Sequence, residues 1–311
     1  MIVEASAPIR ISLFGGGTDT STYSDKYNGA CLNFAINIYQ NIEVRDSLDY
    51  PSTYPIGANS HFYRVILDEF GLQLDKNIKV ACKFDGIIEG GMGSSASATV
   101  ALIGAINKLK GLGMSRAEIA EKAWDIEVNK LGLYGGRQDQ YAATYGGINL
   151  FEFSKGKVVR TPLPAEFINW LLPSIVLLYT GENRKTPKTQ EGFKKLAPKQ
   201  VSELDTIKAI LVEGIRAIGE KDLRKVGLLM DKSWEAKKKS NKGVSTAKMD
   251  KIYERARKLG ALGGKCCGSG GGGFMFFIVE PDNRNKFIEK MGLQHWDFEM
   301  DHNGLSTRIL P

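Results

Sequence analysis

GGMGSSASA, residues 90–98, stands between a strand-like run at 79–84 and an Ala-rich run that reads as a helix through about residue 109. Glycine lets a backbone approach a ligand closely and take positive φ, and a helix N-terminus offers free N–H groups and the positive end of a dipole. With the hydroxyls of Ser94 and Ser95 added, the stretch reads as a phosphate cradle built from Gly90, Gly91, Gly93, Ser94, Ser95 and Ala96. A Gly-Ser loop that only caps a helix would look the same, so the residues around it have to decide.

Upstream, residues 2–14 alternate, carry β-branched side chains and read as strand, running straight into Gly15-Gly16-Gly17. Residues 29–46 read as a strand pair, with apolar residues at every second position over Ile36 and Ile38 and, after a shift, over Ile42 and Val44. A partly apolar stripe predicts a helix over 61–72. Downstream, Ser115 and Glu118 have capping-box spacing at the head of an amphipathic helix over 115–131. Strands follow at 147–153, 158–162 and 174–179, helices over roughly 186–260 with breaks near Gly219 and Gly243, a strand at 274–279 and a helix at 282–292. The alternation with short loops predicts α+β layers. Pro162, Pro164 and Pro173 mark the boundary between two domains, 1–165 and 166–311. No GxxxxGK[ST] and no GxGxxG with a suitable acidic residue occurs, which excludes a Walker-type fold and disfavours a dinucleotide enzyme.

Two further segments carry chemistry. Glu127 lies near the end of the 115–131 helix and Asp139 just past a Gly-rich turn. One carboxylate suits Mg²⁺, which prefers few carboxylates with water and phosphate oxygens, and the other suits hydroxyl activation. A surface Glu and a helix-capping Asp would give the same letters. In GSGGGGF, residues 268–274, Gly268 and Gly270, Gly271, Gly272 and Gly273 put five glycines in six positions. Such a run costs chain entropy. Its place before the apolar FMFFIV argues for a buried turn brushing a ligand rather than a loose tail.

Composition narrows the class. The 311 residues, 42% hydrophobic and 25% charged, are ordinary for a soluble globular protein. The net charge of +7 comes from interleaved acids and bases without an aromatic-studded basic segment, so no nucleic-acid partner is expected. Four cysteines without a CxxC pair and only three histidines argue against structural zinc. Neither a leader-like N-terminus nor an apolar run of membrane length stands out, and the expectation is a reduced, cytoplasmic protein with no membrane partner.

The three segments together resemble the motifs of the GHMP kinase superfamily, in family order: Ala7-Pro8-Ile9-Arg10 through 15–19, then GGMGSSASA, then GSGGGGF. The likeness runs from about residue 5 to residue 280. Within that superfamily the D-glycero-D-manno-heptose 7-phosphate kinase branch is the most similar, through APIRISLFGGGTDTSTYSDKYNGACLNFAI, GGRQDQYAATYGGINLFEF, YTGENRK, SWEAKKKSNKGVS and ALGGKCCGSGGGGF. One departure is Ile87-Ile88-Glu89, where family members usually carry Pro and an extra Gly.

The resemblance implies a ribosomal-S5-like N-terminal domain and a ferredoxin-like C-terminal domain with ATP and acceptor between them. It implies a phosphotransferase acting on an alcohol, with ATP and Mg²⁺ as cofactors and a sugar or sugar phosphate as its small-molecule partner. Carried over by motif position, Asp139 is the base and Arg10 a group near the transferring phosphate. Glu127 and Ser95 are metal ligands, and Gly17, Thr18, Asp19, Arg137, Asp139, Gly271 and Gly272 meet the acceptor. Arg137 and the cluster Arg184, Lys185 and Lys188 are the candidates for a distal acceptor phosphate. A free hexose or heptose, fucose or a mevalonate-type acceptor stays open, as does a non-catalytic sugar-binding protein. A homodimer is allowed, and the oligomeric state is left open.

Overall fold

The computed structural model describes residues 1–46, 60–74, 76–87, 90–182 and 195–311. In chain order its elements are β1 (Ile2–Phe14), α1 (Ser21–Tyr27), β2 (Gly29–Arg45), α2 (Ser60–Asp68), β3 (Lys79–Phe84) and α3 (Ser94–Lys110). Next come α4 (Arg116–Asp125), a π-helical turn (Ile126–Lys130), α5 (Gln138–Tyr145), β4 (Ile148–Ser154), β5 (Lys157–Leu163), α6 (Glu166–Asn169) and β6 (Ile175–Tyr179). The chain continues through α7 (Pro198–Gly219), α8 (Leu223–Ser240), α9 (Ala247–Lys258), β7 (Gly263–Cys266) and β8 (Phe274–Ile278). It ends with α10 (Arg284–Met291), β9 (His295–Trp296) and β10 (Ser306–Leu310).

Side chains of β1 alternate between faces along each half of the strand, and the pairing with β2 is irregular between Pro8 and Ile9, so the two halves meet different cores. Val3, Ala5 and Ala7 join Val100, Ile103 and Ile106 of α3 in one core. Ile9, Ile11 and Leu13 join Ile210, Leu211 and Ile218 of α7 in another. The residues between them, Arg10 and Ser12, consequently face a cleft. The expected pair of strands at 29–46 is instead one 17-residue strand, β2. Its register against β1 slips where Pro8 pairs with Tyr39 but Ile9 pairs with Ile36. That irregularity leaves Asn37 and Ile38 without partners on β1, a bulge inside one strand rather than a turn between two, and it falls just before the interval from Ile38 to Ile42 where a shift was expected. The Asn37 N–H freed there donates to the Glu299 carbonyl at 3.0 Å, so the C-terminal tail completes the bulge.

The first sheet has the order β10-β1-β2-β4-β5, with β3 also on β2, and the second has the order β7-β8-β6-β9. Every pairing in both is antiparallel. The capping box at Ser115 and Glu118 forms as read. The helix it starts does not run evenly to 131: it loosens into the π-helical turn that carries Glu127. The helix expected over 61–72 ends at Asp68. Helices α7, α8 and α9 break near Gly219 and Gly243 as expected. Helix α8 lies so close on β7 that a Cβ at Gly263 would fall 1.9 Å from the Gly227 carbonyl oxygen. The division at 165/166 falls between β5 and α6, and β10 crosses back to the first sheet. Among the described residues no helix is long and apolar enough to cross a membrane.

Candidate active site

A cleft of about 940 Å³ is lined by the end of β1, the loop before α3, the π-helical turn, the start of α5 and the chain around β7. Gly91 and Gly93 adopt φ of 82° and 81°, a region other L-residues rarely enter. A Cβ on Gly93 would sit 3.2 Å from Asp139 Oδ2, so this glycine lets the loop close onto that carboxylate. Helix α3 starts at Ser94 with no side-chain cap, which leaves its first-turn amides facing outward with the positive end of the dipole. Gly91, Gly93, Ser94, Ser95 and Ala96 all line the cleft. Gly90 does not; its carbonyl accepts from Phe274 N–H at 2.9 Å and pins the loop to β8.

Arg10 is the buried centre of the site, 3% exposed. Its Nε and Nη2 donate to Asp139 Oδ1 at 2.8 and 2.6 Å, and its Nη1 reaches the Gly91 carbonyl at 3.3 Å. Burial, the largest single influence, would lower the guanidinium's pKa, but the charge and hydrogen bond of Asp139 together with the charges of Cys267 and Asp19 hold the group above its ordinary value. Because both contacts fall on Oδ1, the Asp139 oxygen Oδ2 has no partner among the described residues.

Glu127 is buried and accepts from the Ser95 hydroxyl and the Gln140 side-chain amide. Burial lifts its carboxyl to about 7; those two hydrogen bonds pull it down and the nearby Asp139 charge pushes it up. Single-turn π bulges recur at functional sites because they re-aim one side chain inside a helix. A carboxylate and a hydroxyl form the all-oxygen, low-charge donor set that suits Mg²⁺ beside phosphate, and Gln140 Oε1 stays unpartnered close by. Among the described residues no three His, Cys, Asp or Glu side chains gather into a cage of their own.

Other expected residues divide. Gly17 and Asp19 line the cleft. Asp19 accepts from Gly17 N–H at 3.1 Å and from the backbone and side chain of Gln138 at 3.3 and 3.1 Å. Burial first, then the Asp139 charge, raises its pKa. Thr18 is not brought to the cleft; its hydroxyl donates to the Gly15 and Ala30 carbonyls and clamps the turn. Arg137 lies outside as well, stacked 3.6 Å above the Trp124 ring and paired with Glu121 at 3.3 Å. Gly271 donates to the Val244 carbonyl and, like Gly272, does not line the cleft, where Gly268 and Ser269 do. Arg184, Lys185 and Lys188 lie outside the described residues.

Ser12, Gln138, Lys237 and Lys265 are among the lining residues that the sequence reading did not assign to the site. Ser12 had a signal, its place two residues after Arg10 on the same strand face. Lys237 stands in a KKK run, and Trp234 three residues earlier is buried on the same side of α8.

Comparison with known proteins places the whole chain in one family. The chain matches the model of the GHMP kinases N terminal domain over residues 58–147 and that of GHMP kinases C terminal over residues 193–297. It is 31% identical to a D-glycero-alpha-D-manno-heptose 7-phosphate kinase of Campylobacter jejuni over 98% of both chains. A mevalonate kinase of Thermococcus gammatolerans shares 28% identity over 92% of this chain and 91% of that one. The crystal structure of a D-glycero-D-manno-heptose 1-phosphate kinase from Bacteriodes thetaiotaomicron superimposes with a TM-score of 0.79 at 25% identity, covering 99% of each chain. Both family models match in order and the 31% relative spans nearly the whole length, so the chain belongs to the GHMP kinase family, ATP-dependent phosphotransferases that act on a hydroxyl group.

Proposed function

We propose that the protein transfers the γ-phosphoryl group of ATP to the anomeric hydroxyl of D-glycero-D-manno-heptose 7-phosphate. The observation that carries the kinase chemistry is the contact of Arg10 and Asp139 beside Gly93, at the uncapped N-terminus of α3. The acceptor rests on the 31% identity to a heptose 7-phosphate kinase, with the named segments of sequence in support.

In this reading the α3 amides and Ser94 bind the nucleotide's phosphates, and the apolar end of the cleft, with Phe62, Phe84 and Leu133, takes the base. Asp139 Oδ2 receives the acceptor hydroxyl, orients it and accepts its proton as oxygen bonds to the γ-phosphorus and the bond to the ADP oxygen breaks. A hemiacetal hydroxyl is more acidic than an ordinary alcohol, so orientation is the larger share of that task. Arg10 holds Asp139 by one oxygen and adds positive charge where the transferring group passes. Glu127 and Ser95 would hold Mg²⁺, which supplies charge neutralisation at the phosphates when bound.

Incubation with Mg-ATP and the heptose 7-phosphate, with ³¹P NMR to locate the new phosphate, tests the reading. A signal for an anomeric phosphate is the expected product. A primary phosphate ester, or turnover of a free hexose or mevalonate in preference, would replace it with another GHMP acceptor.

A further inference from the structure

Two lysines enter the cleft from the second sheet and its covering helix, and both are nearly sequestered from solvent. Lys237 of α8 is 7% exposed and Lys265 of β7 is 3% exposed. Among the described residues neither has a carboxylate within ion-pair reach. The Lys237 ammonium donates to the Gly268 carbonyl and that of Lys265 to the Leu13 carbonyl at 3.2 Å. An ammonium carries three N–H donors, so each head keeps two beyond its carbonyl contact. Two buried cations sharing a cleft without a countercharge are costly unless an anion completes them.

Lys237 is held by Gly268, whose backbone packs against Gly91 of the phosphate loop, and Lys265 is anchored farther along the cleft. Arg10 and the N-terminus of α3 supply the nucleotide's countercharge, with Ser94 adding a hydroxyl donor. Leu13, which anchors Lys265, lies three residues beyond Arg10 along β1, or about 10 Å at strand rise. That direction leads to Gly16 and Gly17, away from Met92, whose carbonyl takes the Arg10 N–H at 3.1 Å. Arg137 is occupied by Glu121 and Trp124 outside the cleft. The geometry points to Lys237 and Lys265 as the pair that receives a phosphate monoester already present on the acceptor, separate from the phosphates of ATP. This assignment rests on the kinase reading for the location of the nucleotide, and it deepens that reading by naming what recognises the acceptor's own phosphate.

Isothermal titration of inorganic phosphate into protein saturated with a non-hydrolysable ATP analogue reads the site without turnover. Phosphate is expected to bind with the analogue in place, about ten- to a hundredfold more weakly in Lys237→Met and in Lys265→Met, the scale of one charge-assisted contact. Replacing a buried charge by a chain of similar length keeps the fold, and thermal unfolding checks each variant. Competition between phosphate and the analogue would assign the lysines to the nucleotide and overturn the proposal. Equal binding by wild type and both variants, or no binding by the wild type, would overturn it as well. The heptose reading is separated by a second arm, kcat/KM for the heptose with and without its 7-phosphate. Phosphate bound at the lysines alongside equal kcat/KM for both sugars would retire the heptose 7-phosphate and leave the anion site standing for another phosphorylated acceptor.

Discussion

Arg10 and Asp139, 129 residues apart, meet through a single carboxylate oxygen, with Nε at 2.8 Å and Nη2 at 2.6 Å from Oδ1. The side chain of Asp139 is 28% exposed while that of Arg10 is 3% exposed, so the pair presents its carboxylate to the cleft and keeps its cation beneath. A base held by one oxygen and open on the other is positioned without being used up.

Asp139→Asn and Asp139→Ala are expected to lower kcat by about 10²-fold or more, the scale of a positioned acid–base group, with little change in KM for ATP. Arg10→Lys keeps the charge but loses the fork that locks Oδ1, and should also lose activity. A folded Asp139→Ala enzyme with wild-type kcat in a coupled ADP-release assay would remove Asp139 from the mechanism.

Glu127→Gln keeps the size and one hydrogen-bond acceptor but removes the charge. The Mg²⁺ concentration for half-maximal activity is expected to rise, while the folded protein remains. An unchanged Mg²⁺ titration would make Glu127 a structural partner of Ser95 and Gln140 only.

Gly93→Ala places a Cβ at φ of 81° and 3.2 Å from Asp139 Oδ2. The backbone term alone costs roughly 1–2 kcal/mol. Both a lower melting temperature and a lower kcat are expected, because the new methyl presses on the carboxylate. Calorimetry and kinetics that match the wild type would mean that the loop shifts freely.

Lys265 carries a distinct pH signature. Burial first, then the Lys237 charge, depresses its ammonium to about 7 from an unfolded value of 10.5. Between those two values the unfolded chain binds one more proton at this residue than the folded one, so stability rises with pH across about 7–10.5 and the cost of burial is full below 7. Lys265→Met is therefore expected to be more stable than the wild type at pH 7, by up to a few kcal/mol, with the gap closing towards pH 10. Denaturant unfolding at both pH values measures this. A gap independent of pH would mean that the lysine stays charged throughout.

Arg137→Met should lower stability through loss of the Trp124 stack and the Glu121 pair, roughly 1 kcal/mol. It should leave unaltered the ratio of kcat/KM for phosphorylated over free acceptor. A fall in that ratio equal to that of the lysine variants would return the arginine to acceptor recognition.

The sequence alone settled what rests on local pattern. The Gly-Ser loop before α3 was legible because glycines before an Ala-rich helix permit positive φ, which Gly91 and Gly93 adopt, and mark where a helix begins. Strand alternation around Arg10, the capping box at Ser115 and the order of three motifs were local in the same sense, and they carried the family. Tertiary structure decided what depends on distant partners. The irregularity at Asn37 and Ile38 is a turn or a bulge according to whether Glu299, far along the chain, arrives to take the Asn37 N–H. Strands β7 and β10 had little pattern of their own, β7 because two of its four residues are glycine, and they form because a neighbour supplies the ladder. Arg137 and Lys237 show the same limit for side chains. An arginine beside the base was a candidate for acceptor phosphate until Trp124 and Glu121 took it, and a lysine in a basic run is turned inward only by the packing of α8. Charge is written in the sequence, but its counterion is chosen by packing.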